Sequence, residues 1–189
     1  NLGIEALDLG ADLPTRAELD SATRQRLAVF EAVRAHSAVA IGARLAPRHV
    51  TIDSTDFAQD GHKLGLGSSA AVAAALTAAL SSASGESLDK AALCARAITA
   101  HRDAQNGRGS GGDVATAVYG GLISYTRDQT PIPLPWPSDL AAFVVVTGTG
   151  ASTPDLVQRV ADYGERAPHA HARYMADLRA LAEAVTHSL

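Results

Sequence analysis

Cysteine is almost missing from this chain: Cys94 stands alone among 189 residues. That excludes a disulfide framework and a cysteine-rich metal knuckle, suits a reducing compartment, and leaves Cys94, on an alanine-rich stretch, as a packed core thiol. Aromatic residues are scarce at 4%, and they do not interleave with basic ones as a nucleic-acid surface requires. Lysine occurs only at Lys63 and Lys90, no basic block exists, and the formal net charge is −4. Nucleic acid is therefore not an expected partner, and any affinity for phosphate must be local. No apolar run is long enough for a membrane span and no secretory leader is visible, so a cytoplasmic protein with no membrane partner is expected. The oligomeric state is left open. What is plentiful is apolar surface, 47% of residues, enough for the core of an ordinary globular domain.

Against these absences one segment stands out, KLGLGSSAAVAAALTAAL from Lys63 to Leu80. Gly65 and Gly67 allow the backbone a tight turn close to a ligand. The helix that follows presents unpaired N–H groups and the positive end of its dipole, which together suit an anion such as phosphate. Ser68 and Ser69 add hydroxyls there, able to bond a phosphate oxygen or to ligate a magnesium ion. The same residues satisfy GxGxxA, but a dinucleotide fold needs an acidic residue ending a second strand about 20 residues on. Glu86 has that offset and sits instead in the polar turn Ser81–Ser87. No GxxxxGK[ST] motif occurs, which removes the P-loop fold.

A second glycine loop lies further on, NGRGSGGDVATAVYGGLISY from Asn106 to Tyr125. Asp113 follows the loop and opens a short helical run. An isolated Gly-Gly-Asp is ordinarily only a helix cap. Two such loops in one small domain weaken that interpretation.

The pair GLGSSAA at Gly65–Ala71 and GSGGDVATAVYGG at Gly109–Gly121 resembles the GHMP kinases, and within that superfamily the phosphomevalonate kinase branch. Lys63 before the first turn, and Thr147-Gly148 with Ala151-Ser152-Thr153 after a central apolar run, match the same branch. The resemblance implies an α+β, GHMP kinase-like fold, with residues 1–164 as an ATP-binding and catalytic domain incomplete at its N-terminus. Residues 165–189 would begin a truncated C-terminal α+β domain; about 100 further residues are normal in two-domain relatives. ATP and Mg2+ are the implied cofactors and a small-molecule substrate the implied partner. Gly65, Leu66, Gly67, Ser68, Ser69 and Ala70 would bind the nucleotide, and Ser69 would ligate the metal. Asp113 and Lys63 would be catalytic, while Arg108, Ser110, Gly111, Ser152 and Thr153 would hold the acceptor. Arg102 falls about where mevalonate kinases place a metal-binding glutamate, so no second carboxylate is implied. The implied reaction is transfer of the γ-phosphoryl group of ATP to phosphomevalonate. The alternatives are an alcohol acceptor such as mevalonate or a sugar, diphosphomevalonate decarboxylation, and a relative that binds nucleotide without turnover.

Periodicity fills in the rest. Leu27, Phe30, Val33, Ser37, Ile41 and Leu45 recur at helical spacing, predicting a helix over Pro14–Leu45 that Pro47 ends. Val50 and Ile52 alternate with polar neighbours and predict a half-exposed strand. Helices are expected over Ser68 to about Ser82 and from a Ser87 cap to about Gln105. After the second loop come a short helix, a Leu122–Thr126 strand, a proline-rich connection Pro131–Pro137, and a buried strand at Phe143–Thr147. Helices at Pro154–Tyr163 and His169–His187 follow, and the Gly164–Pro168 break is the best place for a domain boundary. Trp136 is expected to anchor packing. His169 and His171, without a third ligand nearby, are assigned to a solvated helix start, and His101, Arg102 and Asp103 precede the glycine loop, where they could reach the site, and stay unassigned.

Overall fold

Alanine decides the architecture. The computed structural model describes residues 21–42, 50–59, 62–146 and 153–188. Its centre is a set of four helices, α1 (Ser21–Ile41), α2 (Ser68–Ala83), α3 (Lys90–Ala104) and α4 (Gly112–Tyr119). Helices α1, α2 and α3 pack against one another, and α4 rests on α2 and α3. Ala73, Ala97, Ala100 and Ala115 are wholly buried at these contacts; their single methyl groups let helix axes come close while costing no side-chain entropy.

Two apolar clusters result. Val33, Ala73, Leu76, Leu80 and Ala100 form one, with Val29, Phe30, Val50 and Ile52 packed against it. The other comprises Ala70, Cys94, Ala97, Ile98, Val114 and Ala115, covered by Val118, Tyr119, Ile123 and Tyr125. Cys94 is thus a packed core thiol, and burial raises its pKa. Two buried hydroxyls are satisfied locally, Thr77 Oγ1 donating to the Ala73 carbonyl at 2.7 Å and Ser81 Oγ accepting from Arg96 at 3.1 Å, while the Ser37 hydroxyl has no hydrogen-bond partner among the described residues. Arg96 also donates to both carboxylate oxygens of Glu86, a two-pronged pair that ties the α2–α3 turn to α3.

Strands are few and short. Among the described residues, β1 (Ala58–Gln59) pairs antiparallel with β2 (His62–Lys63), and β3 (Leu122–Ser124) with β4 (Ile132–Leu134). Strand β4 lies inside the segment read as a proline-rich connection. Pro133 is tolerated because a two-stranded ribbon is all edge, and its missing N–H breaks no central ladder. The predicted strand at Val50–Ile52 is irregular; both side chains instead fill the α1–α2 cluster, so alternation reflected packing without a neighbouring strand. The cap of α3 is Asp89, whose Oδ1 accepts from the Ala92 N–H at 2.7 Å, not Ser87.

The predicted buried strand at 143–147 is overturned as far as residue 146. Residues 141–146 have no regular structure, and Phe143 and Val145 are 86% and 81% exposed; no described strand lies beside them to pair their backbone. Trp136 is also more exposed than a packing anchor would be, its indole N–H donating to the Leu140 carbonyl at 2.9 Å. Beyond them α5 (Thr153–Arg166) and α6 (Pro168–Ser188) form a helical pair. Tyr163 meets the His171 ring edge-on at 6.3 Å, and Gly164 leaves room for that imidazole. Among the described residues no helix is long and apolar enough to cross a membrane.

One glycine is indispensable to this packing. Gly111 has φ +88°, and a Cβ there would stand 2.9 Å from Cγ2 of Ile98 on α3. Gly111→Ala is expected to lower stability by roughly 2–4 kcal/mol, combining left-handed strain with overpacking. Gly85→Ala, at φ +75° with nothing within 4 Å, should cost only about 1–2 kcal/mol. Urea unfolding of both variants tests this, and equal losses would show that the Ile98 contact does not matter.

Candidate active site

The first turns of α2 and α4 meet across α3. Gly67, at φ +74°, is the N-cap of α2, and no side chain caps that helix. The first intrahelical bond runs from Ala71 N–H to the Gly67 carbonyl at 3.0 Å, so the N–H groups of Ser68, Ser69 and Ala70 point out of the helix end. A Cβ on Gly65 or Gly67 would meet nothing within 4 Å; these glycines serve the left-handed turn and leave its approach open. Leu66 is half exposed beside them, while Ala70 is buried as the first apolar contact of α2.

The second loop is built on Arg102. Its guanidinium donates to the Ser110 carbonyl and to Asp128 Oδ1, each at 2.6 Å, and the Tyr125 hydroxyl donates to the same carbonyl at 3.0 Å. A charged donor on a neutral acceptor contributes about 1.5–3 kcal/mol. Asp128, at φ +63°, has its carboxyl held below the usual range by Arg102. Arg102 therefore shapes the glycine loop where the family resemblance would have a metal-binding glutamate. Ser110 Oγ accepts from the Gly112 N–H at 3.2 Å. Arg108 is exposed on the loop, its guanidinium without a partner among the described residues.

Asp113 does not cap its helix. The N-cap of α4 is Gly111, and Asp113 sits in the first turn with its side chain 47% exposed. Its Oδ1 accepts from the Val114 N–H at 2.9 Å. Lys63 ends β2, four residues before the α2 cap; its backbone is described and its side chain is not. Ser152 lies outside the described residues, as do Thr147, Gly148 and Ala151, while Thr153 is described only as the first residue of α5.

Sequence reasoning left His101 without a role, and it joins the two loops. The ring is 3% exposed. Its Nε2 lies 3.1 Å from Ser69 Oγ and 3.2 Å from the amide nitrogen of Gln105, and its Nδ1 lies 3.9 Å from Asp113 Oδ2. Burial lowers the pKa of His101, with the Asp113 carboxylate opposing that shift. The signal was present in spacing: Cys94, Ala97, Ile98 and His101 share one face of α3, and the first three are core residues. Asp103, two positions on, pairs instead with His36 of α1.

Among the described residues no group of three or more His, Cys, Asp or Glu side chains could hold a metal. The arrangement fits a magnesium ion that arrives with a nucleotide, since Mg2+ commonly keeps phosphate oxygens and water as most of its ligands. Ser69 offers the hydroxyl and the open α2 terminus the phosphate donors.

A stability test follows from the buried imidazole. Unfolded, it titrates near its ordinary value of about 6.5, whereas folded it titrates lower. Below that ordinary value the unfolded chain binds more protons, so the contribution of His101 is fully present above it and is lost on acidification through the folded pKa. The urea midpoint should therefore drop between about pH 7.5 and about pH 5.5, with part of the drop absent in His101→Gln. Identical profiles would remove His101 as its source.

Comparison with known proteins identifies relatives of this region. The model of the GHMP kinases N terminal domain matches residues 28–121, a range that holds both loops and His101. The chain is 34% identical over 148 residues to a phosphomevalonate kinase of Streptomyces sp. (strain CL190), covering 65% of this chain and 39% of that protein. It is 34% identical over 99 residues to a mevalonate kinase of Aeropyrum pernix, covering 52% of this chain and 30% of that protein. The matches thus span less than half the length of either relative. No solved structure matches at comparable significance. With its serine-bearing turn and its aspartate loop brought to one buried imidazole, the chain belongs to the GHMP kinase family, whose N-terminal domain it carries.

Proposed function

We propose that this chain carries the nucleotide-binding and catalytic region of a GHMP kinase that transfers the γ-phosphoryl group of ATP to a small phosphorylated acceptor, phosphomevalonate. The observation that carries the reading is the convergence of Ser69 and Asp113 on opposite nitrogens of His101. One end of this arrangement offers donors for a polyphosphate, and the other a half-exposed carboxylate for an acceptor.

Phosphoryl transfer asks a protein mainly to position reactants and stabilise charge. The backbone N–H groups at Ser68, Ser69 and Ala70, with the α2 dipole, would hold the nucleotide phosphates. A bound magnesium ion would neutralise phosphate charge, with Ser69 Oγ as the protein's ligand. The acceptor oxygen would attack the γ-phosphorus as the bond to the bridging oxygen breaks and ADP leaves.

Asp113 would orient the acceptor. An alcohol keeps its proton near neutral pH and needs a base. A phosphate monoester, with a second pKa of about 6, is already largely a dianion, and the carboxylate then serves geometry more than proton removal. That second acceptor requires more positive charge. Arg108 and Lys63 are the candidates, with Ser110, Gly111, Ser152 and Thr153 as possible polar contacts. The phosphomevalonate kinase match covers more of this chain than the mevalonate kinase match does, and this favours the phosphorylated acceptor. The domain reading, 1–164 followed by the start of a second domain, is part of the same proposal.

ADP release with magnesium and ATP, measured against phosphomevalonate, mevalonate and a panel of sugars, tests it. Acceptor-dependent release with phosphomevalonate is expected, and Asp113→Asn should slow turnover by more than about 100-fold with nucleotide affinity nearly unchanged. Release with mevalonate or a sugar alone would move the acceptor to an alcohol. Nucleotide binding with no release on any acceptor would overturn the kinase assignment.

A further inference from the structure

We propose that His101 is a positioning residue that fixes the direction of the Ser69 hydroxyl: its bare Nε2 accepts the Ser69 proton, while its Nδ1–H faces Asp113. The inference rests on the reading of Ser69 and Asp113 as the metal and acceptor ends of the site.

Gln105 sets the tautomer of the ring. Its amide nitrogen, 3.2 Å from Nε2, carries only donors, so Nε2 must be an acceptor and the proton of the neutral ring belongs on Nδ1. Ser69 Oγ, 3.1 Å from that nitrogen, then has nothing to accept from it and acts as a second donor, sharing the single Nε2 lone pair with Gln105 in a three-centre bond. A serine hydroxyl has a single proton and two lone pairs. Committing the proton to His101 leaves both lone pairs for whatever approaches the open end of α2. With the other tautomer Ser69 would accept from the ring and its own proton would turn outward, toward an incoming cation. The position of one proton on a buried ring thus decides whether Ser69 is a ligand or an obstacle.

The second nitrogen ties this choice to the acceptor end. At 3.9 Å the Nδ1 to Asp113 Oδ2 separation is too long for a hydrogen bond, but an N–H dipole aimed at a carboxylate favours one orientation of it. The ring itself has little freedom. It is buried between α2 and α4, and Gln105, one turn along from His101, holds the same Nε2 edge that meets Ser69. His101 touches neither phosphate nor acceptor in this arrangement; it acts through the two side chains that do.

Imidazole nitrogen NMR on the full chain, labelled at histidine, tests the arrangement whether or not the protein turns over. The His101 signals, identified by their loss in His101→Gln, should show a protonated Nδ1 and a bare Nε2, and Ser69→Ala should move the Nε2 signal. A protonated Nε2, or an Nε2 indifferent to Ser69→Ala, overturns the proposal while leaving the kinase reading intact. Kinetics supply the second arm. His101→Leu should lower kcat by about tenfold or more with a smaller change in KM for the acceptor, and adding it to Ser69→Ala should lower kcat little further, since both remove one linked function. A folded His101→Leu with unchanged kcat, or losses that multiply, contradicts it. If His101→Leu does not fold, the NMR of the wild type and Ser69→Ala decides. The expected tautomer in a chain that turns over no acceptor supports the hydrogen-bond arrangement and removes the kinase reading instead.

Discussion

The contact between α3 and the first turns of α2 and α4 is the constraint on which the rest depends. Burying a polar ring among helices costs about 1–3 kcal/mol when its partners are missing. His101 has hydrogen-bond partners at Nε2, Ser69 and Gln105, while the Asp113 carboxylate faces Nδ1 across 3.9 Å. Those partners can reach it only because the surrounding residues are small. Ala70 and Ala97 are wholly buried, and Gly111 lets α4 start against Ile98 where any side chain would collide. Small residues, close helices and a buried ring bonded at Nε2 are one solution to one packing problem.

The same constraint separates holding from binding. The loop of α4 is fastened from behind, through the Ser110 carbonyl, by Arg102 and Tyr125. Its front keeps Asp113 half exposed. The turn of α2 is held likewise through Ala70 in the core, while its leading N–H groups stay outside the helix's own bonding. Polar groups that fasten the loops are thus spent inward, and those left facing outward are the ones a phosphate ligand would need.

How much of this was legible in the sequence depended on how local the determinants were. Helices α2, α3 and α4 were readable because alanine runs and glycine punctuation fix them within a few residues, and α5 and α6 because Pro154 and the Gly164–Pro168 break mark where they start and part. The strand readings fared worse. Val50 and Ile52 have a strand's alternation but pack on α1 and α2. Phe143–Val146 has a buried strand's composition but no described neighbour, and Ile132–Leu134 pairs despite its proline. A strand exists only with its partner, and one segment's composition does not say whether a partner is present. At the candidate site the glycine loops and their serines and aspartate were visible as motifs. His101 was visible only as one more position on a core stripe, and its part became clear when Ser69 and Asp113 were found on either side.

Charge around the site points to a division of labour among the cations. Arg102 is committed, with both terminal nitrogens engaged and its Nε buried; releasing it to a ligand would unfasten the Ser110 carbonyl. Arg108, six residues along and on the glycine loop itself, is exposed and unengaged among the described residues. An exposed guanidinium bound to nothing contributes little to stability, but it can pair two-pronged with a phosphate as Arg96 pairs with Glu86. The two arginines therefore suit different tasks, one setting the shape of the loop and the other meeting a charge that the folded chain does not supply. On the proposed reading that charge belongs to the acceptor, and an acceptor without a phosphate would leave Arg108 with nothing to neutralise.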